Sequence, residues 1–275
     1  MKLRIALVSL MLAGTVAALI SAAGTATSGL RLKLRKQIEV FRGSNEWTPV
    51  YFEKTIQPSQ TAIVICDMWD KHWCDGATNR VEQLARKMEP LLDRARQAGV
   101  LIIHALSETM DFYQDTPARL LAKNAPLSHP LKELVLSDPP LPIDDSDGGC
   151  DTGNKMYKAW KRENPLLTIK PGDAVSDQGS EIYNLIQSRH INTILTMGVH
   201  ANMCILNRTF GIRQMTRWGI SCILVRDLTD AMYNPQSKPY VSHAAGTELV
   251  IEHIEKYWAP TVLSSDVMTA INASR

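Results

Sequence analysis

Apolar and polar positions follow two recurrent patterns along this chain, short continuous apolar runs and longer stretches with an apolar residue every three or four positions. The first run, TAIVIC at residues 61–66, ends at Asp67. A run of this kind is typical of a strand buried on both faces of a sheet. Residues 78–98 then have the spacing of an amphipathic helix, closed by Gly99, and the apolar run at residues 100–106 predicts a second strand.

The same alternation returns in the second half of the chain. Strand-helix-strand units at this spacing predict a mostly parallel sheet with helices on both faces. The predicted elements are a helix from Asp177 to about residue 189, a strand at 193–199, a helix at 203–218, a strand at 221–228 and a helix at 241–258.

Two segments depart from this rhythm. Residues 29–60 begin with an alternation of leucine and basic residues, which predicts one or two exposed strands at the edge of the main domain. Residues 107–165 are rich in proline, aspartate and glycine and predict a long loop. Its acidic stretch at 144–151 lacks the spacing and the terminal glutamate of an EF-hand, so we interpret it as a solvated loop rather than a metal site.

The N-terminus has the order of a secretory signal. Lys2 and Arg4 precede an uncharged apolar run at residues 5–20, and small residues follow up to Ala26. We expect cleavage after Ala23 or Ala26, with an uncleaved membrane anchor as the alternative, and therefore an exported, periplasmic or extracellular protein. The predicted division is a signal peptide at 1–26, an N-terminal edge extension at 27–60 and the main α/β domain at 61–275.

Composition and charge narrow the class of partner. Of the 275 residues, 45% are apolar and 21% charged, as in an ordinary globular protein. Loss of Lys2 and Arg4 with the signal would bring the formal net charge from +2 to zero. We therefore expect no nucleic-acid partner, no stable membrane association after cleavage, and a small-molecule substrate; homo-oligomerisation is left open.

The five cysteines have different expected states. Cys66 and Cys222 lie in apolar runs, which predicts buried, inert thiols. Cys74 and Cys150 lie in predicted loops, so they are the pair expected to form a disulfide in an oxidising compartment. An odd count leaves a free thiol, and Cys204 is the candidate with chemical interest.

Three candidate catalytic residues lie at the ends of predicted strands. Sequence motifs for dinucleotides, P-loop phosphates, zinc proteases and the serine-hydrolase elbow are absent, so no cofactor and no metal are expected. In an open parallel sheet, ligands bind beyond the carboxyl ends of the strands. Asp67, Lys170 and Cys204 each follow an apolar run there.

Cys204 opens a predicted helix after a strand, where helix dipoles and free N–H groups favour a thiolate and an oxyanion. An acid such as Asp67 can accept the thiol proton and return it to a leaving group. Taken singly, a buried cysteine, a capping aspartate and a solvated lysine are the commoner interpretations. Taken together, and in this order along the chain, the three residues favour a catalytic function.

These segments resemble the isochorismatase-like cysteine hydrolases, which include nicotinamidases and carbamoyl-amide hydrolases. TAIVICDMWDKHWC resembles the first-strand motif of that family, and GVHANMCIL with the later SCILVRDLTDAM resembles its nucleophile turn and next strand. The resemblance covers roughly residues 60–260. It implies a Rossmann-like, doubly wound α/β fold with a six-stranded, mostly parallel sheet. It also implies a triad of Asp67, Lys170 and Cys204, a cis peptide near Val199-His200, and an oxyanion hole from the N–H groups of His200 and Cys204.

The chain also departs from the family pattern. Lys170 precedes Pro171-Gly172-Asp173-Ala174-Val175, where the family usually has a Ser/Asp-Ala-Phe stretch. Residues 104–111 do not match the metal cluster of nicotinamidases. Because Cys204 is kept, cleavage of an amide C–N bond is favoured over vinyl ether hydrolysis.

Four further residues are candidates for the substrate pocket: Trp69, His72, Trp73 and His104. The alternative is packing under a loop for the first three, and a hydrogen-bonded core histidine is the favoured interpretation of His104. The resulting hypothesis is an exported, metal-independent hydrolase of a small amide, imide or carbamoyl compound. The alternative hypothesis is a secreted small-molecule-binding protein that keeps the fold without turnover.

Overall fold

One eight-stranded sheet organises the computed structural model, which describes residues 29–130 and 132–274. The strand order is β2-β1-β8-β7-β6-β3-β4-β5, and the six strands from β8 to β5 are parallel. The strands are β1 (Leu30–Glu39), β2 (Trp47–Ile56), β3 (Thr61–Cys66), β4 (Leu101–Ala105), β5 (Ala174–Val175), β6 (Thr193–Val199), β7 (Ser221–Asp230) and β8 (Thr261–Val262).

Helices cover both faces of the sheet, as the alternating pattern predicted. The core on one face is formed with α1 and α8, and the core on the other face with α4, α5, α6 and α7. The helices are α1 (Asp75–Gln97), α2 (Met110–Tyr113), α3 (Pro117–Lys123), α4 (Gly179–Ser188), α5 (Cys204–Asn207), α6 (Ile212–Arg217), α7 (His243–Tyr257) and α8 (Ser264–Ala273).

The central strands bring the candidate residues to one edge. Every residue of β3 and β6 is buried, which explains their continuous apolar sequences. Cys66, the last residue of β3, pairs with Ala105 on one side and with Gly198 on the other. The segments that leave β4 and β6 therefore flank Asp67.

The predicted class is confirmed, but the sheet has eight strands rather than six. The six parallel strands are extended by the β1–β2 hairpin, in which Leu30, Leu32 and Leu34 are buried. The hairpin joins β8 antiparallel through Arg35 and Thr261. The alternation of leucine and basic residues thus marks strands with one buried face.

The helix predicted over residues 203–218 is interrupted. It forms as α5 and α6, separated at residues 208–211, where Gly211 N–H donates to the carbonyl of Arg208. A Cβ at Gly211 would lie 2.8 Å from the carbonyl oxygen of Ile205, so a side chain would not fit without movement. The long segment at 107–165 also contains α2 and α3, which its composition did not predict.

The predicted signal peptide at 1–26 lies outside the described residues. Among the described residues, no helix is both long enough and apolar enough to span a bilayer. The division at residues 26 and 60 therefore stays a prediction from the sequence.

Candidate active site

Asp67 lies fully buried at the carboxyl end of β3. Its backbone has a positive φ of 47°, and its N–H donates to the carbonyl of Ala105 at 2.9 Å. Ser107 donates twice to the carboxylate, from its N–H to Oδ1 at 2.7 Å and from its hydroxyl to Oδ2 at 3.2 Å. The segment that follows β4 therefore fixes the orientation of the Asp67 carboxylate.

Cys204 lies opposite, at the start of α5. The peptide bond Val199-His200 is cis, as the family resemblance implied, and the loop that follows leads into α5. Ala201 N–H donates to the carbonyl of Asp230 at 2.8 Å, which holds this loop against β7. A Cβ at Gly198 would lie 2.1 Å from the carbonyl oxygen of Cys66, so only glycine allows β6 to approach β3 here.

The Cys204 thiol and the Asp67 carboxylate are neighbours, and each shifts the pKa of the other. Burial raises the pKa of the Asp67 carboxyl, while Arg208, Cys204 and Ser107 lower it in part. Burial and the neighbouring Asp67 charge also raise the pKa of the Cys204 thiol. Cys204 is therefore a thiol at rest, and not the preformed thiolate that a long helix would favour.

Arg208 is the cation beside this pair, and the sequence did not predict its role. Its Nε donates to Asp67 Oδ2 at 3.3 Å, and its terminal nitrogen lies 3.9 Å from Glu108. The Arg208 side chain is 34% exposed, whereas Asp67 has no exposed surface. The charged mouth of the site is thus formed by Arg208 and Glu108.

Lys170 does not join Asp67 and Cys204, which corrects the predicted triad geometry. Its Nζ donates to Asp93 at 2.5 Å, and its side chain is 39% exposed. Asp93 lies 18 residues after Asp75, the first residue of α1, or about 27 Å along the helix axis. The segment before β5 follows α1 away from the site, a path that the sequence alone did not reveal.

His104 is also placed differently from the pocket role predicted for it. Its ring is fully buried, with Nδ1 at 2.7 Å from Glu163 and Nε2 at 3.3 Å from Asp173. The carboxylates Glu163 and Asp173 raise the pKa of His104 to about 9 against the opposing effect of burial. Both ring nitrogens are occupied, so His104 belongs to a buried ion network and not to a substrate pocket.

The other three predicted pocket residues form an aromatic wall. Trp69 stacks on Trp160 with ring centroids 4.4 Å apart, and His72 lies 5.8 Å from the Trp160 ring. His72 also contacts His200 edge-on at 5.1 Å and Trp73 at 5.3 Å.

This wall reaches Cys204 and carries no charge. The partly buried residues Trp160 and Cys204 both pack against the cluster that contains Trp69. Burial lowers the pKa of His72 to about 4 and that of His200 to about 3, so both imidazoles are neutral near pH 7. The ring nitrogens Trp160 Nε1 and His200 Nε2 are buried without a hydrogen-bond partner.

A disulfide fastens the segment that carries Trp160. Cys74 and Cys150 are bonded, with their Cα atoms 5.6 Å apart, which confirms the predicted pair. Cys66 and Cys222 are buried free thiols, also as predicted. Because Cys74 caps α1 just after the Trp69–Trp73 region, the disulfide ties the long segment to the aromatic wall.

Cavities among the described residues differ in how close they lie to the site. One of about 650 Å³ is lined by α2, α3 and the Lys170 segment, and neither Asp67 nor Cys204 lines it. Another of about 260 Å³ opens beside Arg208 and includes Arg213 and Arg217. The assignment of the site therefore depends on side-chain geometry and not on cavity size.

Three residues of the site were not predicted, and the sequence marks them to different degrees. Ser107 follows β4 as a polar residue after an apolar run, the same signal that identified Asp67. Arg208 lies four residues after Cys204, a helical spacing that places two side chains on one face. Trp160 had no local signal, because only the path of the long segment brings it to Trp69.

Solved structures of three bacterial proteins resemble this fold to different degrees. A cysteine hydrolase from Pseudomonas syringae pv. phaseolicola 1448A gives a TM-score of 0.52 at 17% identity, over 80% of this chain and 96% of that one. An isochorismatase family protein from Burkholderia thailandensis gives 0.46 at 17% identity, over 78% and 96%. The nicotinamidase from Staphylococcus aureus gives 0.38 at 8% identity, over 72% and 94%.

No protein-family model and no curated protein matches the sequence. The likeness to the Pseudomonas cysteine hydrolase extends over almost all of that protein. At this level of identity it concerns the fold alone, so any activity has to be argued from the residues. The resemblance to isochorismatase-like cysteine hydrolases is confirmed at the level of the fold.

Proposed function

We propose that this protein is a cysteine hydrolase that cleaves a C–N bond of a small amide, imide or carbamoyl compound. The observation that carries the proposal is the placement of the Cys204 thiol beside the buried Asp67 carboxylate, where each group shifts the pKa of the other. A thiol becomes a strong nucleophile when a positioned base removes its proton. The likeness of the fold to a cysteine hydrolase supports the same reading.

The reaction begins with proton transfer from Cys204 to Asp67 as Sγ attacks the carbonyl carbon. A tetrahedral intermediate forms, and its oxygen accepts hydrogen bonds from the N–H groups of His200 and Cys204. Asp67 then gives its proton to the leaving nitrogen, the C–N bond breaks, and ammonia, an amine or, from an imide, an amide departs from the thioester.

Water completes the turnover. Asp67 removes a proton from the water that attacks the thioester, and the C–S bond breaks as the acid product forms. The Cys204 sulfur leaves and takes that proton back from Asp67. Burial raises the pKa of the Asp67 carboxyl above its ordinary value, which makes the carboxylate a stronger base toward the thiol and the water.

The test is ammonia release from a panel of small primary amides, imides and carbamoyl compounds at neutral pH. The wild type should release ammonia from at least one member, and Cys204→Ala should release none. Cys222→Ala is the matched control, because Cys222 is also a free cysteine but lies buried in β7. Equal activity in Cys204→Ala and wild type would rule out the proposal.

One observation favours a second candidate, a small-molecule-binding protein without turnover: Lys170 pairs with Asp93 and leaves the site without the expected lysine. Alkylation of Cys204 by iodoacetamide separates the two functions. A catalytic pair predicts labelling that depends on Asp67, since the carboxylate accepts the thiol proton. A binding protein predicts slow labelling that Asp67→Asn does not change.

We also propose that the protein is exported. The secretory signal predicted at residues 1–26 and the Cys74–Cys150 disulfide both support this proposal, because structural disulfides persist mainly in oxidising compartments. The expected partner is a small-molecule substrate.

A further inference from the structure

The candidate site contains an acid, Asp67, and a nucleophile, Cys204, and the cation beside them is Arg208. Arg208 contacts Asp67 directly, with Nε 3.3 Å from Oδ2. Lys170, which the family resemblance placed in this role, pairs with Asp93 instead.

Arg208 is held in place by the same short segment that presents the nucleophile. Its N–H donates to the Cys204 carbonyl at 3.1 Å at the end of α5, and its own carbonyl accepts from Gly211 at 2.7 Å. One helical turn separates the two residues, so the thiol and the guanidinium approach Asp67 from one element.

We propose that Arg208 is a positioning residue that keeps the Asp67 carboxylate ionised and directed at Cys204, the role that the resemblance assigned to Lys170. This inference rests on the proposed function. It means that the acid comes from β3, while both the nucleophile and the cation come from α5 and its C-terminal cap.

The chemistry differs from that of a lysine. Arginine stays protonated at any working pH, so the charge beside Asp67 does not titrate. Lysine can lose its proton when desolvated, and it offers a single point charge instead of a planar group. Arg208 can contact Asp67 with Nε and still present its terminal nitrogens to Glu108 and to solvent.

The pH dependence of the site follows from the groups that face Asp67. These are Arg208 and Cys204 from the α5 segment and Cys66 from β3, with Glu108 beyond Arg208 and the neutral Ser107 after β4. Arg208 supplies the positive charge among them. Its removal would raise the pKa of Asp67 further, so the base would form only at higher pH.

The experiment follows the rate of Cys204 alkylation by iodoacetamide against pH, by mass spectrometry of the intact protein, and needs no substrate. Arg208→Gln should move the ascending limb to higher pH by about one unit or more and slow labelling at a pH below that limb about tenfold. Arg208→Lys should restore most of the wild-type profile. Lys170→Gln is the matched control and should follow the wild type, because its ion pair is half-exposed.

A second variant tests the direction of the pH shift without changing Asp67 or Cys204. Glu108→Gln removes a negative charge near Arg208, so the limb should move slightly to lower pH, opposite to Arg208→Gln. Thermal unfolding of each variant identifies any loss of structure. If Arg208→Gln fails to fold, Glu108→Gln and Lys170→Gln still decide: an unshifted profile for Glu108→Gln with a shifted profile for Lys170→Gln would overturn the inference.

The outcomes separate this inference from the proposed function. If the pH profile of Cys204 labelling shifts in Asp67→Asn but not in folded Arg208→Gln, only the role of Arg208 is overturned. A labelling profile that neither Asp67→Asn nor Arg208→Gln changes would remove the proton transfer and the inference with it. Shifts in both, with Lys170→Gln unchanged, would support both.

Discussion

At the scale of single residues, the site depends on a conflict between burial and charge at Asp67. A carboxylate with no exposed surface is costly unless it is hydrogen-bonded and paired. Ser107 supplies two hydrogen bonds and Arg208 supplies the opposite charge. The remaining neighbour is the Cys204 thiol, so the proton that catalysis would move lies beside the buried carboxylate.

Replacement of Cys204 by serine tests the nucleophile. Cys204→Ser should fold like the wild type and lose at least about a thousandfold in kcat, because Asp67 is too weak a base to deprotonate an alcohol. Steady-state ammonia release measures the loss. Cys222→Ser is the control for a buried cysteine outside the site, and retention of most activity in Cys204→Ser would contradict the mechanism.

Replacement of Asp67 by asparagine tests the acid and base. Asp67→Asn keeps the shape of the side chain and removes its proton transfer, so kcat should fall about 10² to 10⁴-fold with little change in Tm. Calorimetry and steady-state kinetics distinguish the possibilities. A large fall in Tm with normal kinetics in the folded fraction would make Asp67 a structural residue of the β3 turn instead.

The sequence identified Asp67 because it directly follows a strand with a continuous apolar run, and Cys204 because it opens a helix just after another such strand. Strand order then places both ends at one edge of the sheet. Lys170 was mispredicted because it follows a run that is not a strand, Leu166-Leu167-Thr168-Ile169, within the irregular segment before β5. The path of such a segment depends on long-range contacts, here Lys170 with Asp93, which no local pattern encodes.

At the scale of elements, a buried ion network joins the far end of α1 to β4 and β5. His104 on β4 lies between Glu163 and Asp173, and Arg96 of α1 donates to Asp173 at 2.8 Å. The pKa of His104 is raised from 6.5 to about 9, so its protonated form is the one bound in the folded protein.

The stability that this histidine contributes should depend on pH. A raised folded-state pKa means that the contribution is complete below about pH 6.5 and is lost as the pH rises toward about 9. We expect the free energy of unfolding to fall by about 1 kcal/mol per pH unit in that window. Denaturant unfolding at several pH values measures it, and His104→Gln should flatten the curve. An equal slope in that variant would assign the effect to other groups.

The disulfide is the second feature at this scale, since it joins the start of α1 to a segment with little regular structure. Cys74→Ser with Cys150→Ser should lower the stability by about 2–5 kcal/mol, because the bond closes a loop of 76 residues. It should also raise KM more than it lowers kcat, since Trp160 would lose its support while Asp67 and Cys204 keep theirs. A lower kcat with unchanged KM would speak against this account of the wall.

Helices and strands were predictable where the apolar period was strong, as in α1 and the central strands. The interruption between α5 and α6 and the short helices were harder to predict from the sequence. The split between α5 and α6 arises where Gly211 closes a turn on Arg208, a local event inside an otherwise helical pattern. The short helices α2 and α3 carry too few turns to show a period.

At the scale of the whole molecule, the fold is a parallel sheet extended by an antiparallel hairpin. The apolar runs predicted the parallel part, whereas the hairpin adds two strands because Leu30, Leu32 and Leu34 bury one face while the basic residues between them remain at the surface. Arg35 anchors the hairpin to α7 through Glu248 and Glu255, at 2.6 and 2.7 Å.

The last prediction concerns the compartment in which this protein is processed and forms its disulfide. A charged start, an apolar run and small residues up to Ala26 predict that the mature chain begins near Gly24 or Thr27. The oxidised pair Cys74 and Cys150 predicts an oxidising compartment, so thiol titration of the unfolded mature protein should find three free cysteines of the five. A control chain that starts at Thr27 should stay in the cytoplasm and show all five thiols free. Mass spectrometry of the secreted fraction identifies the first residue, and an intact Met1 recovered only with membranes would show a retained anchor in place of a cleaved signal.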